Sequence, residues 1–76
     1  MANELAQTIE HVIGPLVGAV LAGVSVDLEA KRIGKTTDTI DATDLGTLAD
    51  NLEAQLRLLV GREMAESAAH KVRMLR

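Results

Sequence analysis

Apolar residues recur along this chain at spacings of three and four, and no stretch of useful length alternates with a period of two. The pattern predicts helices alone. Asn3 is placed to cap a first helix from Glu4, with Leu5, Ile9, Val12 and Ile13 on one face. That helix is expected to stop near Gly14. Pro15 has no N–H, crowds the carbonyl four residues back and disfavours the α conformation in the residue before it. Pro15 then suits the first position of a second helix over residues 15–32, closed by Lys31 and Arg32 in its last turn and by Gly34 in a left-handed cap.

Residues 35–39 are polar, threonine-rich and aperiodic, which predicts a loop. Asp41 follows as an N-cap, with Asp44 three residues later and Ile40 placed to staple onto Leu45. Asp44 stands where the reciprocal capping box has Glu, so that half of the box is expected to be imperfect. The third helix carries Leu45, Leu48, Leu52, Leu56 and Leu59 on one face, with Asp50, Asn51, Gln55 and Arg57 around the rest. Gly61 interrupts the pattern, and residues 62–75 resume it with Met64, Ala65, Ala68, Val72 and Leu75. The expectation is an all-α protein, a small four-helix bundle forming a single helical domain over residues 1–76.

Sliding the chain by 47 positions brings Leu5 onto Leu52, Ile9 onto Leu56, Val12 onto Leu59, Ile13 onto Val60 and Gly14 onto Gly61. Gly18 then falls on Ala65, Ala22 on Ala69 and Leu28 on Leu75. Shared leucine spacing is common among helices, and the aligned glycines add to it. The register predicts two pseudo-symmetric helical hairpins joined by residues 34–40.

The second predicted helix is unusual in what it lacks. From Val12 to Val26 the chain reads VIGPLVGAVLAGVSV, with no charge and one hydroxyl, Ser25. A helix on the flank of a small bundle keeps a polar face toward water; this one asks for cover on both sides. Gly14, Gly18 and Ala22 fall on one stripe, with Ala19 and Gly23 on a second, and small residues let helix backbones approach closely. Gly14, Pro15, Gly18, Ala19, Ala22 and Gly23 are therefore the candidate interface of a homodimer. Gly18→Leu is expected to disrupt assembly far more than a change at Gln55, which this reading places on an exposed face.

Size and composition strengthen that expectation. A chain of 76 residues buries only about 60% of the surface its unfolded form exposes, and small domains recover stability from disulfides, metals or partners. With no cysteine, disulfides and cysteine-held zinc are excluded. The absence of Phe, Tyr and Trp removes the stacking surfaces on which single-stranded nucleic-acid sites rely. A net charge of −3 gives no general pull toward phosphate. The clusters Lys31, Arg32, Lys35 and Lys71, Arg73, Arg76 fall at predicted helix C-termini, where the dipole favours cations. No basic segment precedes the apolar run, and its fifteen residues span roughly 22 Å of the roughly 30 Å that a membrane crossing needs. No membrane span is expected, and a cytoplasmic location follows by default.

Residues 13–19 and 60–65 each resemble part of the helix-hairpin-helix motif, whose glycine turn offers backbone N–H groups to a DNA phosphate. That family has a further glycine where this chain has Val12 and Leu59. The resemblance implies a DNA-backbone-binding module, with Gly61, Arg62, Lys71 and Arg73 as candidate contacts. Residues 40–45, IDATDL, resemble the start of the last helix in histone folds, but a further helix follows here, so a shared capping solution is the expectation. Gly34, Lys35 and Thr36 spell the end of a phosphate loop, yet Glu29 stands where that loop needs glycine. Glu63, Glu66 and His70 share a helical face that a metal would fit. An exposed Glu–His pair is the commoner finding, so no metal or cofactor is expected. There is no Cys or Tyr, and carboxylates spread along solvated helix faces are the ordinary finding, so no catalytic residue is assigned. The expected function is a non-catalytic, homo-oligomerising protein-interaction or regulatory module, with the DNA-backbone binder as alternative.

Overall fold

The computed structural model describes residues 2–75; Met1 and Arg76, the last member of the C-terminal basic cluster, lie outside the described residues. Four helices pack against one another, and no strand forms among the described residues. They are α1 (Glu4–Val17), α2 (Ala19–Arg32), α3 (Leu45–Val60), entered through a 3₁₀ turn at Ala42–Asp44, and α4 (Arg62–Arg73). α1 packs on α2 and α3 on α4 as two hairpins; between the hairpins α1 meets α4 and α2 meets α3.

The predicted caps form. Asn3 Oδ1 accepts from the N–H of Ala6 at 2.9 Å, closing the first turn of α1. Gly34 adopts φ +77°, Gly34 N–H donates to the carbonyl of Lys31, and Lys35 N–H donates to that of Ala30, the two bonds of a Schellman cap. At the start of α3 the reciprocal box is complete. Asp41 Oδ1 accepts from Thr43 N–H, and Asp41 N–H donates to Asp44 Oδ2, each at 2.9 Å. The tight 3₁₀ turn brings the shorter aspartate within reach, correcting the expectation of an imperfect box. Ile40 and Leu45, the expected staple, are both buried in the core.

The first hairpin departs from expectation. α1 continues through Gly14 and Pro15 to Val17, and the break falls at Gly18. Proline disfavours helix in its predecessor by striking that residue's Cβ, and Gly14 has none. The exposed ring of Pro15 removes one hydrogen bond near the helix end, and the N–H of Gly18 closes the turn onto the carbonyl of Gly14 at 2.7 Å. Gly18 itself sits at φ +90°, ψ +155°, and Gly61 at φ +88°, ψ +170°, a region essentially reserved for glycine. Gly18 is therefore not an interior residue of α2, and the stripe of Gly14, Gly18 and Ala22 does not lie on one helix. Gly18→Leu would strain the turn whatever its effect on assembly.

Aligning the two breaks replaces the offset of 47 by 43. Ala6, Ile9 and Ile13 then coincide with Ala49, Leu52 and Leu56, and Ala22, Ser25, Val26 and Glu29 with Ala65, Ala68, Ala69 and Val72. Every one of these residues is buried. The short side chains of α2 and α4 let each helix lie close on its partner, while Ile9, Ile13, Leu48, Leu52 and Leu56 fill the centre. The odd member is Glu29, buried at the place of Val72, with Oε1 lacking a hydrogen bond and Arg32 Nε 3.5 Å away. Gln55 also differs from expectation, since its Oε1 is buried without a donor.

The hairpins are tied together through the loop. Asn3 N–H donates to the carbonyl of Thr37 and Asn3 Nδ2 to that of Ile40, each at 2.9 Å. Lys35 Nζ lies 2.8 Å from Asp44 and 3.5 Å from Asp41, so the lysine of the phosphate-loop-like tripeptide serves as a pin. Its bond to Asp44 holds the ammonium above its ordinary range.

The two kinds of glycine give opposite expectations. Gly18→Ala and Gly61→Ala each cost about 1–3 kcal/mol in denaturant unfolding. Gly46→Ala, helical, not followed by proline and with open space at its Cβ, instead stabilises by up to about 1 kcal/mol.

Candidate functional site

Burial separates the residues expected at the interface. Ala22 is fully enclosed within the chain. Gly23 faces Glu10 of α1, whose Oε1 would lie 3.3 Å from a Cβ built there, so this glycine admits a neighbour from its own hairpin. Gly14 is half-buried in α1, while Pro15, Gly18 and Ala19 are exposed around the turn. Ala22 and Gly23 thus face the inside of their own hairpin, a role that helical spacing alone did not separate from intermolecular packing.

What α2 exposes instead is large. Val20, Leu21, Val24 and Leu28 stand at helical spacings that hold them within roughly 100° of the helix circumference. Val20 is 84% exposed. Val20, Leu21 and Val24 belong to the uncharged run of residues 12–26, in which the small residues, and not these larger ones, were expected at an interface.

Pseudo-symmetry shows where the stripe leads. On one side of the molecule α1 and α4 form a shallow cleft lined by Val12, Pro15, Leu16, Met64, Ser67, Ala68 and Lys71. The offset of 43 carries these positions to Gln55, Leu58, Leu59, Leu21, Val24, Ser25 and Leu28 in the groove of α2 with α3. There Leu58 is 88% exposed, and Leu21, Val24, Leu28 and Leu59 are exposed as well. One groove is rimmed by Lys71 and Ser67; its counterpart has Leu28 and Val24. Contiguous apolar surface of this kind marks interaction sites.

The residues assigned to nucleic-acid contact sit differently. Gly61 forms the turn before α4, and Arg62 Nε lies 2.9 Å from Glu66. Arg73 is held by Asp50 and Glu53 of α3. Lys71 is exposed, in the α1–α4 cleft. The hydrogen bond from Arg62 raises that guanidinium above its ordinary range and draws the Glu66 carboxyl below the usual carboxylate range. Arg73 is raised likewise, chiefly by Asp50. Arg62 and Arg73 therefore face internal carboxylates. Glu66 also meets Arg57 at 3.5 Å, which turns it to arginine rather than to His70. His11 and His70 are exposed, and no cluster of three potential metal ligands forms among the described residues. No described helix is long and apolar enough to cross a membrane.

No family model matches the chain, and neither do the curated proteins or the solved structures.

A carboxyl NMR titration is expected to place Glu66 below the usual glutamate value of about 4.3, and Arg62→Ala to move it back up. Because the folded-state value is the lower one, the stabilisation from this pair is complete above the ordinary glutamate range and is lost as pH falls through the depressed value.

Proposed function

We propose that the protein is a non-catalytic, self-associating interaction module, in which the apolar face of α2 and the end of α3 meets the same face of a second copy. The observation that carries this reading is the exposure of Val20, Leu21, Val24, Leu28, Leu58 and Leu59 on adjacent packed helices.

Three features favour a second copy as the occupant. The stripe on α2 carries no charge until Lys31 and Arg32, so it meets itself about a twofold axis without like-charge repulsion. Asp27, beside the stripe, is already paired with Lys31 at 3.0 Å. A standard interface takes about 800 Å² from each partner. That is about one-sixth of the 4525 Å² this small chain exposes, an extent within reach of one helix face and a neighbouring helix end. A chain without disulfides has most to gain from such burial.

Sedimentation equilibrium across a wide concentration range, without and with duplex DNA, tests the proposal. The expected result is a dimer indifferent to DNA. Val24→Asp should make it monomeric with helix content unchanged, whereas Ala54→Asp, on an exposed position of α3, should leave the dimer intact. A wild-type monomer at all concentrations overturns the reading. A steep, salt-dependent association with DNA would replace it by the backbone-binding alternative.

A further inference from the structure

Registered at their glycine breaks, the hairpins share a core and differ in the outer seam between their helices. Along α3 and α4 the seam is an ion-pair ladder. Arg73 holds Asp50 and Glu53, Arg57 lies 2.9 Å from Glu53 and 3.5 Å from Glu66, and Arg62 lies 2.9 Å from Glu66. At the offset of 43, Gln7 and Glu10 of the first hairpin stand at the places of Asp50 and Glu53. Gly14, Ala19 and Ala30 stand at the places of Arg57, Arg62 and Arg73, and Gly23 at that of Glu66. The inner acid is kept and all three cations are gone.

A cleft of about 460 Å³ remains, lined by Gln7, Glu10, His11, Gly14, Pro15 and Ala19. Five of these positions correspond to Asp50, Glu53, Arg57, Leu58 and Arg62 of the second hairpin. Glu10 is half-buried beside Gly23 and makes no ion pair or side-chain hydrogen bond among the described residues. The equivalent acid, Glu53, has two arginines.

We propose that the α1–α2 cleft binds a guanidinium group supplied from outside the hairpin, an arginine side chain, at the positions that correspond to the exposed, carboxylate-paired Arg57 and Arg62 of the second hairpin. Glu10 offers the two carboxylate oxygens that suit a planar fork, and the Gln7 amide offers a further acceptor. Gly14, Pro15 and Ala19 give the aliphatic stem an apolar bed. The cleft lies on the α1–α2 seam, apart from the α2–α3 face, so it does not rest on self-association through that face.

The test is titration of the full ¹⁵N-labelled chain at pH about 7.5, where an ordinary imidazole is neutral, with N-acetyl-arginine amide. The citrulline analogue, of the same shape without the charge, is the control. Expected are saturable shifts at Glu10, His11, Gly14, Ala19 and Gly23 with arginine and none with citrulline. Glu10→Gln should weaken binding about tenfold or more. Gly14→Arg should refill the cleft from within. It should abolish binding and raise the thermal midpoint beyond Gly14→Ala, with the excess lost when Glu10→Gln is added. Shifts spread evenly over surface carboxylates, or binding undiminished in Glu10→Gln, would overturn the proposal; so would Gly14→Arg no more stable than Gly14→Ala. A dilution series without ligand identifies the source of the cation. Concentration-dependent shifts at the same residues point to an arginine of a second copy, and their absence alongside saturable arginine binding points to another molecule.

Discussion

Each hairpin turns on one glycine, held with φ near +90° and an extended ψ where a Cβ would be strained, and most of the molecule follows from that placement. A single residue reverses the chain between α1 and α2 and again between α3 and α4, with no loop to absorb slack. The register between paired helices is therefore fixed at the turn. It decides which residues face inward, and at both hairpins it selects small side chains on the returning helix. With backbones brought close, Ile and Leu from α1 and α3 are enough to fill the centre without any aromatic residue.

Interiors buried at corresponding positions leave the exteriors free to diverge. The second hairpin is dressed with solvated ion pairs, each worth little alone but together occupying the seam between its helices. The first hairpin has small or uncharged residues at the corresponding places, and α2 turns branched apolar side chains to the outside where α4 shows Glu63, Ser67 and Lys71. The same backbone arrangement thus presents a charged flank and an apolar one. The connection between the hairpins is held by polar contacts from both sides, through Asn3 at the start of α1 and Lys35 at the end of α2. Neither hairpin is free to drift from the face it shares with the other.

Local chemistry made much of this legible. Asn3, Gly34 and Asp41 each satisfy terminal N–H or carbonyl groups through atoms a few residues away, so the residue type and its spacing already specify the cap. The uncharged character of residues 12–26 likewise announced a segment needing cover on more than one side. The turn of the first hairpin was not legible in the same way. Pro15 is a strong helix breaker in isolation, but its effect depends on the Cβ of the preceding residue, and at Gly14 there is none. A break at Gly14 corresponds to an offset of 47 and leaves Gly18 inside a helix, whereas the break at Gly18 gives 43.

By itself the sequence determined that the chain is helical, where most of its helix ends lie, and that the run from Val12 to Val26 has no charge to offer water, because these depend on propensity, capping and composition within a few residues. Only the tertiary structure decided that Ala22 and Gly23 close a hairpin while Val20, Leu21, Val24 and Leu28 remain outside. It also decided that Glu53 receives arginines where Glu10 lines a cleft. Helical periodicity marks which residues share a face; which neighbour covers that face depends on the path of helices distant in sequence, and that path was set by two glycine turns, of which the pattern marked Gly61 and not Gly18.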